Sequence, residues 1–146
     1  MRKIKFRGKS EDGKWIYGNL IQYSWGSSIR ESDTLDDVEV YEFTVGQFTG
    51  FFDCKGCEIY EGDLLMDVSK PNSEKNLLEV YFNEGLGSMS IKIHSEKYVT
   101  ECDSPFCQIY KNKYSEYEVV GNIHENKQIF EKLFAFESSS LTQTYL

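Results

Sequence analysis

Residues 44–65 read TVGQFTGFFDCKGCEIYEGDLL, and the alternation of β-forming runs with turn residues in this stretch decides the fold class. Aromatic and β-branched residues cluster in 48–52 and 59–60, and such residues suit a pleated, half-buried surface. Between them Asp53 to Gly56 supplies turn chemistry, and Glu61-Gly62-Asp63 supplies it again before LLMDV. The stretch therefore predicts strand, turn, strand, turn, strand. Gly46 and Gly50 are not a phosphate loop, because no Lys-Ser/Thr follows them. They serve strand bends or close backbone approach.

The same pattern extends outward in both directions. Ile4 and Phe6 alternate with Lys3, Lys5 and Arg7, the period-2 signature of a half-buried strand. Glu11-Asp12-Gly13 then turns the chain into KWIYGNLIQY, giving an N-terminal β-hairpin. Downstream, LLEVYF (77–82), the turn NEGLG (83–87), SMSIKIHS (88–95) and YEVVGNI (117–123) continue as short strands, with Met89, Ile91 and Ile93 on one face. One α-helix is predicted from Asn126, which would cap it, with Ile129, Leu133 and Phe136 on its inner face. The expected fold is mainly β: an N-terminal β-hairpin plus a small strongly bent sheet or barrel, with one C-terminal α-helix. The chain is expected to form a single domain over 1–146. Its sub-regions are a hairpin over 1–25, a mobile acidic connection over 26–39 with one short strand around Ile29, a barrel-like core with the helix over 40–137, and a flexible tail over 138–146.

The 146 residues include 22 Phe, Tyr and Trp, and 40% are hydrophobic, which excludes collagen, coiled coil and wholesale disorder. A chain of this length buries roughly two-thirds of its unfolded surface, enough for a core without staples. The net charge is −8, unevenly spread. Residues 1–30 carry seven basic side chains against Glu11 and Asp12, a local net of +5, whereas 31–67 carry eleven acids and only Lys55, a net of −10. The basic segment is expected to pair with the acidic one, within the chain or across a subunit interface. Lys3, Lys5 and Arg7 are the interface candidates. A pI near 4.8 opposes nucleic-acid binding, although Trp15, Tyr17, Tyr23 and Trp25 interleave with basic residues as a single-strand binder would require. The opening MRKIKFRGKS lacks an apolar run of signal-peptide length, and no stretch approaches the ~20 apolar residues of a membrane span. A cytoplasmic protein with no membrane partner is expected.

Thiols stay reduced in that compartment, so the four cysteines are candidates for metal or packing. A structural zinc would take Cys54, Cys57, Cys102 and Cys107 together; without it no cofactor is expected. The alternative places Cys54 and Cys57 in an exposed turn and Cys107 in the core. Redox chemistry at Cys54-Lys55-Gly56-Cys57 is disfavoured, since Asp53, Glu58 and Glu61 would raise a thiol pKa. Those acids with Asp63 form a second candidate metal site, for metal-assisted hydrolysis. The only imidazole bases are His94, on the polar face of its strand, and His124, ahead of the helix; no catalytic residue is assigned.

Three segments, IKFRGKSEDGKWIYGNLIQ (4–22), TVGQFTGFFDCKGCEIYEGDLL (44–65) and YEVVGNIHEN (117–126), together 51 residues, resemble the YopX family of phage and prophage proteins. Members typically carry a polar Asp-x-x-Gly-Lys turn where this chain has Asp53-Cys54-Lys55-Gly56-Cys57, so both cysteines depart from the pattern. The resemblance implies a mostly β protein of mobile elements and transfers no catalytic residue. The expected function is a non-enzymatic, oligomeric interaction protein: a homo-oligomer, with a host protein as a further partner. The alternatives are the metal-dependent hydrolase or nuclease and the single-stranded nucleic-acid binder.

Overall fold

A computed structural model describes residues 1–69, 76–95, 99–102, 104–106, 116–126 and 128. Strands make up 56% of these, so the chain is mainly β. Contacts divide it into two compact units, Met1–Glu61 and Gly62–Leu146, and the boundary falls inside the 44–65 stretch.

The first unit holds β1 (Phe6–Lys9), β2 (Trp15–Tyr23), β3 (Gly26–Arg30), β4 (Asp37–Val40), a 3-10 turn (Glu42–Thr44), β5 (Gly46–Phe52) and β6 (Glu58–Tyr60). They form one antiparallel sheet in the order β4-β3-β2-β1-β5-β6. At the β1–β2 turn Gly13 adopts φ 83°, its N–H donating to the Ser10 carbonyl at 2.9 Å, while the Ser10 hydroxyl donates to the Asp12 carboxylate. The sheet curls: Ser10 bridges Val40 and the Tyr41 N–H donates to the Lys9 carbonyl at 2.9 Å. Ile29 and Val40 are buried beneath this curl. Gly8 permits it, because a Cβ there would lie 2.8 Å from Val40 Cγ2. Thr44 ties the 3-10 turn down, its Oγ1 accepting from the Lys9 N–H at 2.8 Å.

The second unit holds β7 (Asp63–Asp67), β8 (Leu77–Asn83), β9 (Ser88–His94), β10 (Val99–Glu101) and β11 (Tyr117–Asn122), an antiparallel sheet in the order β10-β9-β8-β7-β11. The β8–β9 register pairs Leu78 with Ile93, Val80 with Ile91 and Phe82 with Met89, so the predicted Met89, Ile91 and Ile93 face exists. Leu64, Leu65, Leu77, Val80, Ile91 and Phe106 form the core of this unit, each such side chain worth about 1.5–3 kcal/mol on burial.

The expected fold is corrected. The described residues form two antiparallel sheets, not one hairpin followed by a single bent sheet or barrel, and they contain no helix of seven residues or more. The segment 26–39 is no loose connection, because it supplies β3 and β4 to the first sheet. The Asn126 side-chain oxygen accepts from the Asn122 N–H at 3.0 Å. Asn122 closes the turn that follows β11, its Oδ1 accepting from the N–H groups of His124 and Glu125, both at 3.0 Å. The rest of the expected helix, apart from Gln128, and the expected tail lie outside the described residues.

Candidate functional site

The basic strand β1 meets an aromatic face. Arg7 is 6% exposed, and its guanidinium sits 4.7 Å from the Trp15 ring centroid and 5.0 Å from that of Tyr60. Its Nη2 also donates to the Glu61 carbonyl at 3.4 Å. Alternation on β1 and β2 sets this up, since Arg7 lies opposite Tyr17 and Lys9 opposite Trp15. Lys5 donates to Glu58 Oε1 at 3.0 Å, and the Tyr60 hydroxyl donates to Glu58 Oε2 at 3.0 Å. Burial opposes the charge on Glu58, but the hydrogen bonds from Lys5 and Tyr60 outweigh it, so its pKa is lowered. Burial, then the bond to Glu58, pushes the Tyr60 phenol well up. Burial likewise raises the Glu61 carboxyl. Of the three predicted interface cations, Arg7 is thus stacked inside the unit, Lys5 is paired with Glu58, and Lys3 is exposed.

Asp53 is 7% exposed and organises the β5–β6 turn. Its carboxylate accepts from the N–H groups of Lys55 at 2.9 Å and Cys57 at 2.8 Å, and Gly56 takes φ 83°. The turn holds Cys54 and Cys57 exposed. Cys102 is half-buried in the second unit, its carbonyl accepting from the Ser90 hydroxyl at 3.0 Å, and Cys107 lies outside the described residues. Asp63 is fully buried in the second unit. Among the described residues no group of three or more His, Cys, Asp and Glu side chains is gathered to hold a metal ion. His94 Nε2 stands 3.6 Å from Glu79 Oε1, and Glu79 also faces Lys92 at 3.7 Å. Burial lowers the His94 pKa against the pull of Glu79.

A groove of about 670 Å³ runs between the β1–β2 turn, at Ser10, Glu11 and Asp12, and the outer edge of β4, at Val38 to Tyr41. Large apolar side chains crowd the same meander: Trp25 is 62% exposed, Leu35 92%, Tyr41 45% and Phe43 74%. Tyr23 stacks on Trp25 at 4.8 Å, and Tyr41 lies 5.6 Å from Phe43. The Tyr23 hydroxyl and the Arg30 guanidinium both donate to Asp37, fixing β4 to its inner neighbours and lowering the Asp37 pKa. The sequence reading missed this surface because β3 and β4 are polar; the signal present was the alternation of Val38 and Val40 with Asp37 and Glu39.

The chain belongs to the YopX protein family, whose match covers residues 5–131. No curated protein matches it.

Proposed function

We propose that this YopX protein is a non-enzymatic interaction protein of phage or prophage type that acts in the host cytoplasm and associates with copies of itself. The observation that carries the reading is the concentration of exposed Trp25, Leu35, Tyr41 and Phe43 on one meander. Trp25 and Tyr41 flank the Ser27–Val40 pair at one end of that meander, with Tyr23 stacked on Trp25 and Phe43 beside Tyr41, and exposed aromatic residues dominate the binding energy of protein interfaces. The charge asymmetry adds selectivity. Metal-dependent hydrolysis is the weaker reading, since the Asp53 carboxylate is engaged by backbone amides and that of Glu58 by Lys5 and Tyr60.

Sedimentation velocity over a concentration series tests the proposal. The wild-type chain is expected to associate, and Trp25→Ser with Phe43→Ser to shift it towards monomer. A wild-type chain that stays monomeric at every concentration rejects self-association.

A further inference from the structure

We propose that the groove of the first unit is a binding site for an arginine side chain carried on a basic peptide segment of a partner protein. Glu11 and Asp12 line it from the β1–β2 turn, and Val38, Glu39 and Tyr41 line it from β4 and the residue that follows. Its backbone edge is already met, because Ser10 bridges Val40 and the Lys9 carbonyl accepts from the Tyr41 N–H. What the groove offers a partner is therefore its side chains. The inference stands apart from self-association, since of the four apolar side chains that carry that reading only Tyr41 lines the groove.

Charge complementarity indicates the occupant. Asp12 is matched within the chain: its carboxylate accepts from the Ser10 hydroxyl and faces Lys14 Nζ at 3.7 Å. Glu11 and Glu39 are exposed, and among the described residues neither carboxylate forms an ion pair or accepts a side-chain hydrogen bond. The pairing of basic with acidic segments takes place elsewhere, at Lys5–Glu58 and Arg30–Asp37, and leaves the groove acidic. Arginine suits its remaining features. A guanidinium presents a planar fork of N–H groups to carboxylates and stacks on aromatic faces. Tyr41, 45% exposed, supplies a ring, and Val38, 36% exposed, an apolar contact for the aliphatic stem. The chain makes both kinds of contact itself: Arg30 donates from Nε and Nη2 to Asp37 Oδ1, and Arg7 stacks on Trp15 and Tyr60. A lysine would keep the charge and lose the fork, and an acidic segment would be repelled.

Fluorescence anisotropy with labelled peptides tests this on the full-length chain at about 150 mM salt, where attraction to distant charges is screened. The probes are a short peptide alternating Arg and Ser and its counterparts with Lys or Gln in place of Arg. The Arg peptide is expected to bind, the Lys peptide to bind severalfold more weakly and the Gln peptide not to bind. Glu11→Gln with Glu39→Gln is expected to weaken Arg-peptide binding roughly tenfold. Glu84→Gln with Glu116→Gln makes the same change of net charge at exposed positions of the second unit and is expected to leave binding within about twofold of wild type. Circular dichroism verifies that each variant folds. The Trp25→Ser, Phe43→Ser chain is expected to bind the Arg peptide as wild type does. No binding of the Arg peptide overturns the proposal, and so does equal weakening by the two pairs of Glu variants, which would reduce the attraction to net charge. Equal binding of the Lys and Arg peptides overturns the assignment to arginine. Binding lost in the Trp25→Ser, Phe43→Ser chain puts the peptide on the aromatic surface and overturns the groove.

Discussion

Replacing Arg7 by Met tests whether the cation, and not merely its volume, holds the first sheet together. Arg7 is nearly enclosed, faces the Trp15 and Tyr60 rings at 4.7 and 5.0 Å, and donates a long hydrogen bond of 3.4 Å to the Glu61 carbonyl. Two desolvated cation–π contacts contribute about 1 kcal/mol each, and a hydrogen bond of that length contributes about 0.5 kcal/mol. Met keeps the chain in contact with both rings and is spared the desolvation of the guanidinium, which offsets part of the loss. The net expectation for Arg7→Met is a destabilisation of about 1–2 kcal/mol, and Arg7→Ala adds a further ~1–2 kcal/mol for the cavity it leaves. The assay is urea unfolding followed by tryptophan fluorescence, since Trp15 and Trp25 both lie in the first unit. At about 4–8 °C per kcal/mol for a domain of this size, a thermal scan reads the same change. An Arg7→Met chain as stable as wild type, or more stable, refutes the role given to the charge.

Gly18→Ala should destabilise the first sheet by more than about 2 kcal/mol, because the added Cβ would stand 2.1 Å from the Arg30 carbonyl oxygen; a change below half that in urea midpoints contradicts the close approach. Asp53→Ala should cost about 1–2 kcal/mol, since the turn loses the acceptor for the Lys55 and Cys57 amides, and amide exchange at those two positions should accelerate. Glu58 has a folded pKa below its ordinary value, so its stabilising contribution is complete above the unfolded pKa near 4.5 and is lost as pH falls through the lower folded value. Glu58→Gln should cost about 1 kcal/mol at pH 7 and flatten the acid limb of stability against pH. An unchanged acid limb contradicts the Lys5–Glu58 pairing.

Much of the architecture was legible wherever side-chain alternation is strong. The stretch 44–65 reads as strand, turn, strand, turn, strand, and β5, β6 and the start of β7 occupy those positions. The hairpin β1–β2 follows from Ile4, Phe6 and the Asp12-Gly13 turn. The short strand expected around Ile29 is β3, whereas β4 was hidden, because Ser27 and Ser28 are buried polar residues and Arg30 and Asp37 satisfy each other across the pair, leaving a composition that reads as a loop. The role of Arg7 was hidden for another reason. Local spacing marks a cation on a polar face, but whether that face meets water or aromatic rings depends on β6, and Lys5 and Glu58 stand 53 residues apart in sequence. The candidate surface was legible in its charge, as the basic 1–30 and acidic 31–67 segments, and not in its geometry, which required knowing that β4 lies at a sheet edge.

Native mass spectrometry of the wild-type chain, purified without chelator, tests the central claim most directly. Self-association predicts masses at integral multiples of the single chain, their share growing with protein concentration. A single-chain mass at every concentration and ionic strength contradicts it.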